Sequence, residues 1–226
     1  MARAARVSES EGSRSAATRE ALLDAAETLF ARDSFAGVSL RAITRKARAN
    51  LAAVSYHFGG KEELYREMLR RRLHPINAAR LRLLDAALAA HAPRPVPLPA
   101  LLEAFLRPVA DLVDATAPAP HPFVRVMGRF LLEPPAFVEA VATRDFAELG
   151  ERYGPHLLAQ LPHLTPATLL WRMRFVIGAA TATFGRMQVI ERRLVALGAP
   201  VDGAMLLRQL IAFVEAGLRA PDPAAP

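Results

Sequence analysis

Cysteine is absent from this chain of 226 residues. That excludes disulfides and thiolate metal sites and makes a reducing cytoplasm the expected setting. Lysine is almost absent as well: of 29 basic residues only Lys46 and Lys61 are not arginine. No apolar run approaches the roughly 20 residues of a membrane-spanning helix. The longest apolar one free of charge and of histidine in the C-terminal half lies between Arg174 and Arg186. The N-terminus has no apolar segment of the signal-peptide kind, so a soluble cytoplasmic protein with no membrane partner is expected. Sustained period-two alternation is missing, which argues against strands. The six histidines are scattered and form no His-x-x-x-His pair. There is no Gly-x-Gly-x-x-Gly, no P-loop and no Gly-x-Ser-x-Gly. No catalytic residue, metal ligand or cofactor is therefore assigned, and a helical enzyme remains only as an alternative.

Acidic residues are missing from one place in particular. None occurs between Asp33 and Glu62, whereas Arg41, Arg45, Lys46, Arg48 and Lys61 fall inside that window. The net charge of +7 lies in the same third of the chain: residues 1–82 hold 16 of the 29 basic and 9 of the 22 acidic groups, and the remainder is neutral. A local positive potential of this kind attracts phosphate backbones. A solvated basic face on a helical adaptor for another protein is the competing explanation.

What is present is helical periodicity interrupted by proline and glycine. Residues 1–15 are polar and aperiodic, and a disordered tail is expected there. Thr18 is placed to cap a first helix reaching about Arg32, with Leu22, Ala25, Ala26, Leu29 and Phe30 on one face. Ser39 precedes a short helix bearing Leu40, Ile43 and Ala47. Residues 48–50 turn, and a third helix runs over 51–58 to Gly59-Gly60. Lys61 opens a long helix in which Pro75 should produce a kink. Later helices are expected over 100–115, 123–132, 135–160 and 166–197, the last ending at Gly198, and Asp202 should cap a final one. Two short helices joined tightly and packed on a longer one form a helix-turn-helix unit. The expected fold is all-α: a disordered tail over 1–15, a helix-turn-helix DNA-binding domain over 16–62, a larger helical domain over 63–220, to which the family resemblance given next assigns ligand binding and dimerisation, and a second disordered tail over 221–226.

The segments TREALLDAAETLFARDSFAGVSLRAITRKA (18–47) and NLAAVSYHFGGKEELYREML (50–69) resemble the TetR family of transcriptional regulators, through Ala-x-x-Leu-Phe, Phe35, Ser39, Ile43 and Tyr-His-Phe followed by Lys61. The resemblance implies that Ser39, Tyr56, His57 and Lys61 meet phosphates. It also implies that Asn50, Leu51, Ala52, Ala53 and Ser55 face the major groove and that Val54 and Phe58 point into the core. Arg48 or Arg45 would add a base or phosphate contact, although Arg48 stands where the family usually has glycine. Asn50 would read adenine through both its amide atoms. The segment LLWRMRFVIGAATATFG also looks like members that sense fatty acyl compounds.

The partners implied are double-stranded DNA, a second copy of the chain and a small apolar or acyl-type effector. The protein would be a ligand-responsive repressor that binds palindromic operator DNA as a homodimer. A small-residue stripe of Gly178, Ala182 and Gly185, together with Leu206, Leu210, Phe213 and Val214, is the expected dimer interface. The expected pocket lining is Phe105, Phe123, Met127, Phe130, Phe137, Trp171, Phe175 and Phe184. An acidic head group could meet Arg125, Arg129, Arg172 or Arg174.

Overall fold

The computed structural model describes residues 2–112, 121–132, 137, 139–185, 187–199 and 202–222. Its helices are α1 (Ala2–Phe30), α2 (Leu40–Ala47), α3 (Leu51–Phe58), α4 (Lys61–His91), α5 (Leu98–Ala110), α6 (Pro122–Leu132), α7 (Glu139–Gln160), α8 (Pro166–Gly185), α9 (Met187–Ala196) and α10 (Gly203–Arg219). Among the described residues there is no strand, and no helix is long and apolar enough to cross a membrane.

Two apolar clusters organise the chain. The first gathers Leu22, Ala26 and Phe30 of α1, Ile43 of α2, Val54 and Phe58 of α3, and Leu64 to Ile76 of α4. The second is built from Leu84 of α4 with α5, α7, α8 and α10. The long helix α4 belongs to both. So does the region of α6, because Phe123 and Val126 pack in the first cluster while Val124 packs in the second. The head is thus mounted on the second domain by continuous helix and shared core, which couples their positions.

Several expectations need correction. The first helix begins at Ala2 and not at Thr18, so residues 2–15 are helical where an irregular tail was expected. Ala, Arg and Glu in that stretch are good helix formers, and Thr18 sits mid-helix, where its hydroxyl donates to the Arg14 carbonyl at 2.9 Å. Pro75 stands inside α4 without ending it. The helix expected over 166–197 is described as α8 and α9 on either side of residue 186, which lies outside the described residues. Gly198 does close α9, with φ 68°. The C-terminal tail is anchored further than expected. Asp222 is buried and accepts a hydrogen bond from the Thr165 N–H at 3.4 Å. The Arg172 guanidinium donates to the carbonyls of Gly217, Leu218, Ala220 and Pro221. A cation there satisfies the free carbonyls at the end of α10.

Candidate functional site: the helix-turn-helix face and the core cavity

The two short helices are each started by a side-chain cap. Ser39 Oγ accepts from the Ala42 N–H at 3.2 Å, and Asn50 Oδ1 accepts from the Ala53 N–H at 2.8 Å. Between them Arg48 takes a left-handed conformation, φ 53° and ψ 36°, and ends α2. Gly59 ends α3 at φ 73°, a region glycine enters without a Cβ penalty. Gly60, at φ 170°, is ordinary extended backbone. Val54 and Phe58 are buried, four residues apart on the inner face of α3.

The outer face of α3 presents Leu51, Ala52, Ser55 and Tyr56, all exposed, with Tyr56 at 81%. The Tyr56 ring meets His57 edge-on at 4.9 Å between centroids, leaving the phenol directed away from the core. His57 and Ala53 are half-buried at the flanks of this face. Arg41, Arg45, Lys46 and Arg48 are exposed on α2 and the turn, so the surface beside α3 is uniformly cationic in side-chain charge.

Three expected DNA contacts have structural duties that alter how each can act. The Asn50 oxygen spends one lone pair on the cap; its second lone pair and its amide N–H group remain for a base, so a two-atom contact with adenine is compatible with the start of α3. Ser39 also caps, but its own O–H remains available to a phosphate. Lys61 is folded back on the head: its ammonium donates to the Phe35 carbonyl at 2.5 Å and lies 4.3 Å from the Phe35 ring centroid. Burial pulls the Lys61 pKa below its ordinary value. Its remaining two N–H bonds are what a phosphate would find.

Behind the head, a cavity of about 40 Å³ lies between α4, α5, α6 and α8, with Phe146 of α7 in its wall. Phe105, Phe123 and Met127 line it as expected. The rest of the expected lining is distributed elsewhere. Phe184 is fully buried in the second core but is not part of the cavity wall. Phe137 packs edge-on against Phe35 and Tyr65 of the head, with centroids at 4.7 and 5.9 Å. Trp171 and Phe175 are 65% and 66% exposed and stack on one another on the outside of α8. The side chain of Phe130 lies outside the described residues. Aromatic periodicity identifies a face but not the face's neighbour, which is why these were grouped wrongly.

The cavity contains one charged residue that periodicity had hidden. Arg80 is 6% exposed and lines the wall. Its Nε–H donates to the Phe105 carbonyl at 2.8 Å, Nη1 donates to Asn77 Oδ1 at 3.0 Å, and the guanidinium sits 4.2 Å from the Phe105 ring centroid. Burial lowers its pKa to about 10, which leaves it charged at neutral pH. The signal was available: Leu73, Ile76, Arg80 and Leu84 follow one helical stripe, and a cation in such a stripe is exceptional. Of the arginines proposed for a head group, Arg172 instead closes α10, Arg174 is exposed, Arg125 is half-buried on α6 and the side chain of Arg129 lies outside the described residues.

A second buried charge connects the domains. Glu27 of α1 is 3% exposed and its Oε2 accepts from Arg71 and Arg72 of α4, both at 2.9 Å. His121 Nδ1 lies 3.4 Å from Glu27 Oε1 and accepts from the Phe123 N–H at 3.2 Å, capping α6.

The expected dimer residues divide as well. Leu210 and Val214 are buried in the chain's own core, and Leu206 is partly buried against it, so these three do not form a free face. Phe213 is 72% exposed, and Gly178 and Ala182 are exposed. The side-chain surroundings of Gly185 lie outside the described residues. On α8, Trp171, Phe175, Gly178 and Ala182 follow 4-3-4 spacing and form one outward strip. Helix α8 also packs against α10, which carries Phe213.

Residues 22–68 match the family described as Bacterial regulatory proteins, tetR family. Residues 103–217, just over half of the chain, match the family described as Tetracyclin repressor-like, C-terminal domain. No curated protein matches the chain in sequence. Among solved structures, a tetR-family transcriptional regulator from Streptomyces coelicolor is 22% identical with a TM-score of 0.53, over 88% of this chain and 79% of that one. A TetR-like transcriptional regulator from Rhodococcus sp. RHA1 is 23% identical with a TM-score of 0.54, over 89% and 95%. NalD of Pseudomonas aeruginosa, the secondary repressor of the MexAB-OprM multidrug efflux pump, is 22% identical with a TM-score of 0.54, over 90% and 97%. At these identities the likeness is one of fold.

Proposed function

Because the chain belongs to the TetR family of transcriptional regulators, we propose that it is a cytoplasmic, ligand-responsive repressor that holds palindromic operator DNA as a homodimer and releases it when a small apolar or amphipathic effector enters the second domain. Members of the family are DNA-binding transcription factors and not enzymes, so the helical-enzyme alternative is set aside. The observation that carries the proposal is the outer face of α3, capped at both ends, in a segment with no carboxylate from residue 34 to residue 61.

In this reading α3 enters the major groove with Leu51, Ala52 and Ser55 toward the bases. Tyr56, the spare O–H of Ser39, and Arg48 meet phosphates, with Lys61 and His57 at the margin. Few hydrogen-bonding side chains face the bases, so part of the specificity comes from DNA shape. Two copies associate through the α8 strip and Phe213, which sets the spacing of two heads on successive half-sites. An effector widening the cavity displaces α4 and α6. Phe123 of α6 lines the cavity and also packs in the head core, so such a displacement changes the pose of the head.

The test is binding of the full chain to duplexes from its own promoter at graded salt. The logarithm of affinity should fall linearly with the logarithm of salt, by about 0.9 for each phosphate neutralised. Tyr56→Phe should weaken binding to all duplexes alike, by about 1 kcal/mol. Failure to bind duplex DNA even in dilute buffer would favour the helical adaptor.

A further inference from the structure

Among the described residues the cavity wall is apolar except at two places. Thr181 is one, and its hydroxyl already donates to the Ile177 carbonyl at 2.8 Å. Arg80 is the other. Its two hydrogen-bond partners, the Phe105 carbonyl and the Asn77 side chain, are both neutral. Among the described residues no carboxylate lies within ion-pair distance of it. A charge taken out of water without a counter-charge is costly, and proteins that retain one generally use it. The guanidinium has three N–H bonds beyond those two contacts, in the planar fork that matches a carboxylate. Among the described residues Arg80 is the one positive charge lining the space, so a dianion would leave a charge uncompensated in an apolar wall, whereas a monoanion would not.

We propose that the effector is a monoanionic amphiphile: a carboxylate paired with the Arg80 guanidinium, carrying an apolar body between Phe105, Phe123, Met127 and Ile177. This rests on the effector reading above and gives it a chemical class. The cavity of about 40 Å³ holds a few waters and is too small for an eight-carbon chain as it stands. The apolar body must therefore part α4, α5, α6 and α8, and that displacement supplies the signal to the head. Arg80 lies on the same helix as Lys61, which is tied to the head at Phe35.

The experiment titrates the full chain with three probes of equal length, octanoate, 1-octanol and octylamine, by calorimetry and by release from promoter duplex. Octanoate should bind about tenfold or more tighter than octanol, as a charge-assisted contact in a dry site requires, and octylamine should bind weakest. Arg80→Met keeps the stem and removes the charge; it should abolish the octanoate preference, and Arg80→Lys should restore part of it. Should Arg80→Met fail to fold, the three-probe ranking on the unaltered chain decides alone. Octanol binding as tightly as octanoate, with equal DNA release, overturns the monoanion assignment and leaves the effector cavity standing. No binding by any of the three at millimolar concentration overturns both.

Discussion

Arg48 is held where a side chain is a disadvantage. A non-glycine residue in the left-handed region stores on the order of 1 kcal/mol or more, and Arg48 sits there because the turn between α2 and α3 demands it. Arg48→Gly should therefore raise the free energy of unfolding by up to about 1 kcal/mol in urea denaturation. It should also weaken binding to every duplex and shallow the salt dependence by about one phosphate. An unchanged or lower stability would show that the turn is unstrained. Asn50 separates capping from contact in a different way. Asn50→Ala removes the cap of α3 and should cost about 1 kcal/mol, whereas Asn50→Asp caps equally well and should keep stability. Asp at this position nevertheless brings a negative charge to the groove face. Melting curves beside duplex titrations check the pair: equal stability losses in both variants would sink the assignment of Asn50 as a cap.

At the scale of elements, α6 is started by a group that titrates. His121 Nδ1 accepts the Phe123 N–H, a role open only to the neutral ring. Burial holds the His121 pKa below 6.5, with Arg72 and Arg71 adding to the effect and Glu27 opposing it. The unfolded chain then takes up this proton first, so the contribution of His121 to stability is present above pH of about 6.5 and is lost as pH falls toward the folded value. His121→Asn keeps a capping acceptor that does not titrate. Denaturation midpoints between pH 7.5 and 5 should fall less steeply in this variant than in the unaltered chain; parallel slopes would mean that His121 carries none of the dependence. The same element explains why Glu27 escapes periodicity rules. It lies within the apolar face of α1, yet its two arginine partners come from α4, 44 and 45 residues away.

For the molecule as a whole, the outward strip of α8 is the surface whose neighbour matters most. Trp171 and Phe175 are about two-thirds exposed, so charging them should not disturb the fold. Trp171→Arg combined with Phe175→Asp should leave helical circular dichroism unchanged and shift sedimentation to the monomer. Because each head alone holds one half-site, affinity for a full palindrome should fall about a hundredfold or more. A variant that still sediments as a dimer would place the interface elsewhere.

Composition and periodicity sufficed for much of this protein. The all-α class, the cap at Ser39, the glycine stop at Gly198 and the Asp202 cap of α10 all depend on residues within about one helical turn of each other, and local chain geometry decides them, whereas the inward pair Val54 and Phe58 came from the family resemblance. The extent of α1 was not readable this way. Nor were partnerships across the chain. Whether Trp171 points into a cavity or into solvent, whether Leu210 meets its own core or another copy, and whether a stripe arginine such as Arg80 finds a carboxylate depend on which helices are brought together. Periodicity states that a helix has an apolar side; only packing of one helix on another decides what that side touches, because burial is a property of two surfaces and not of one.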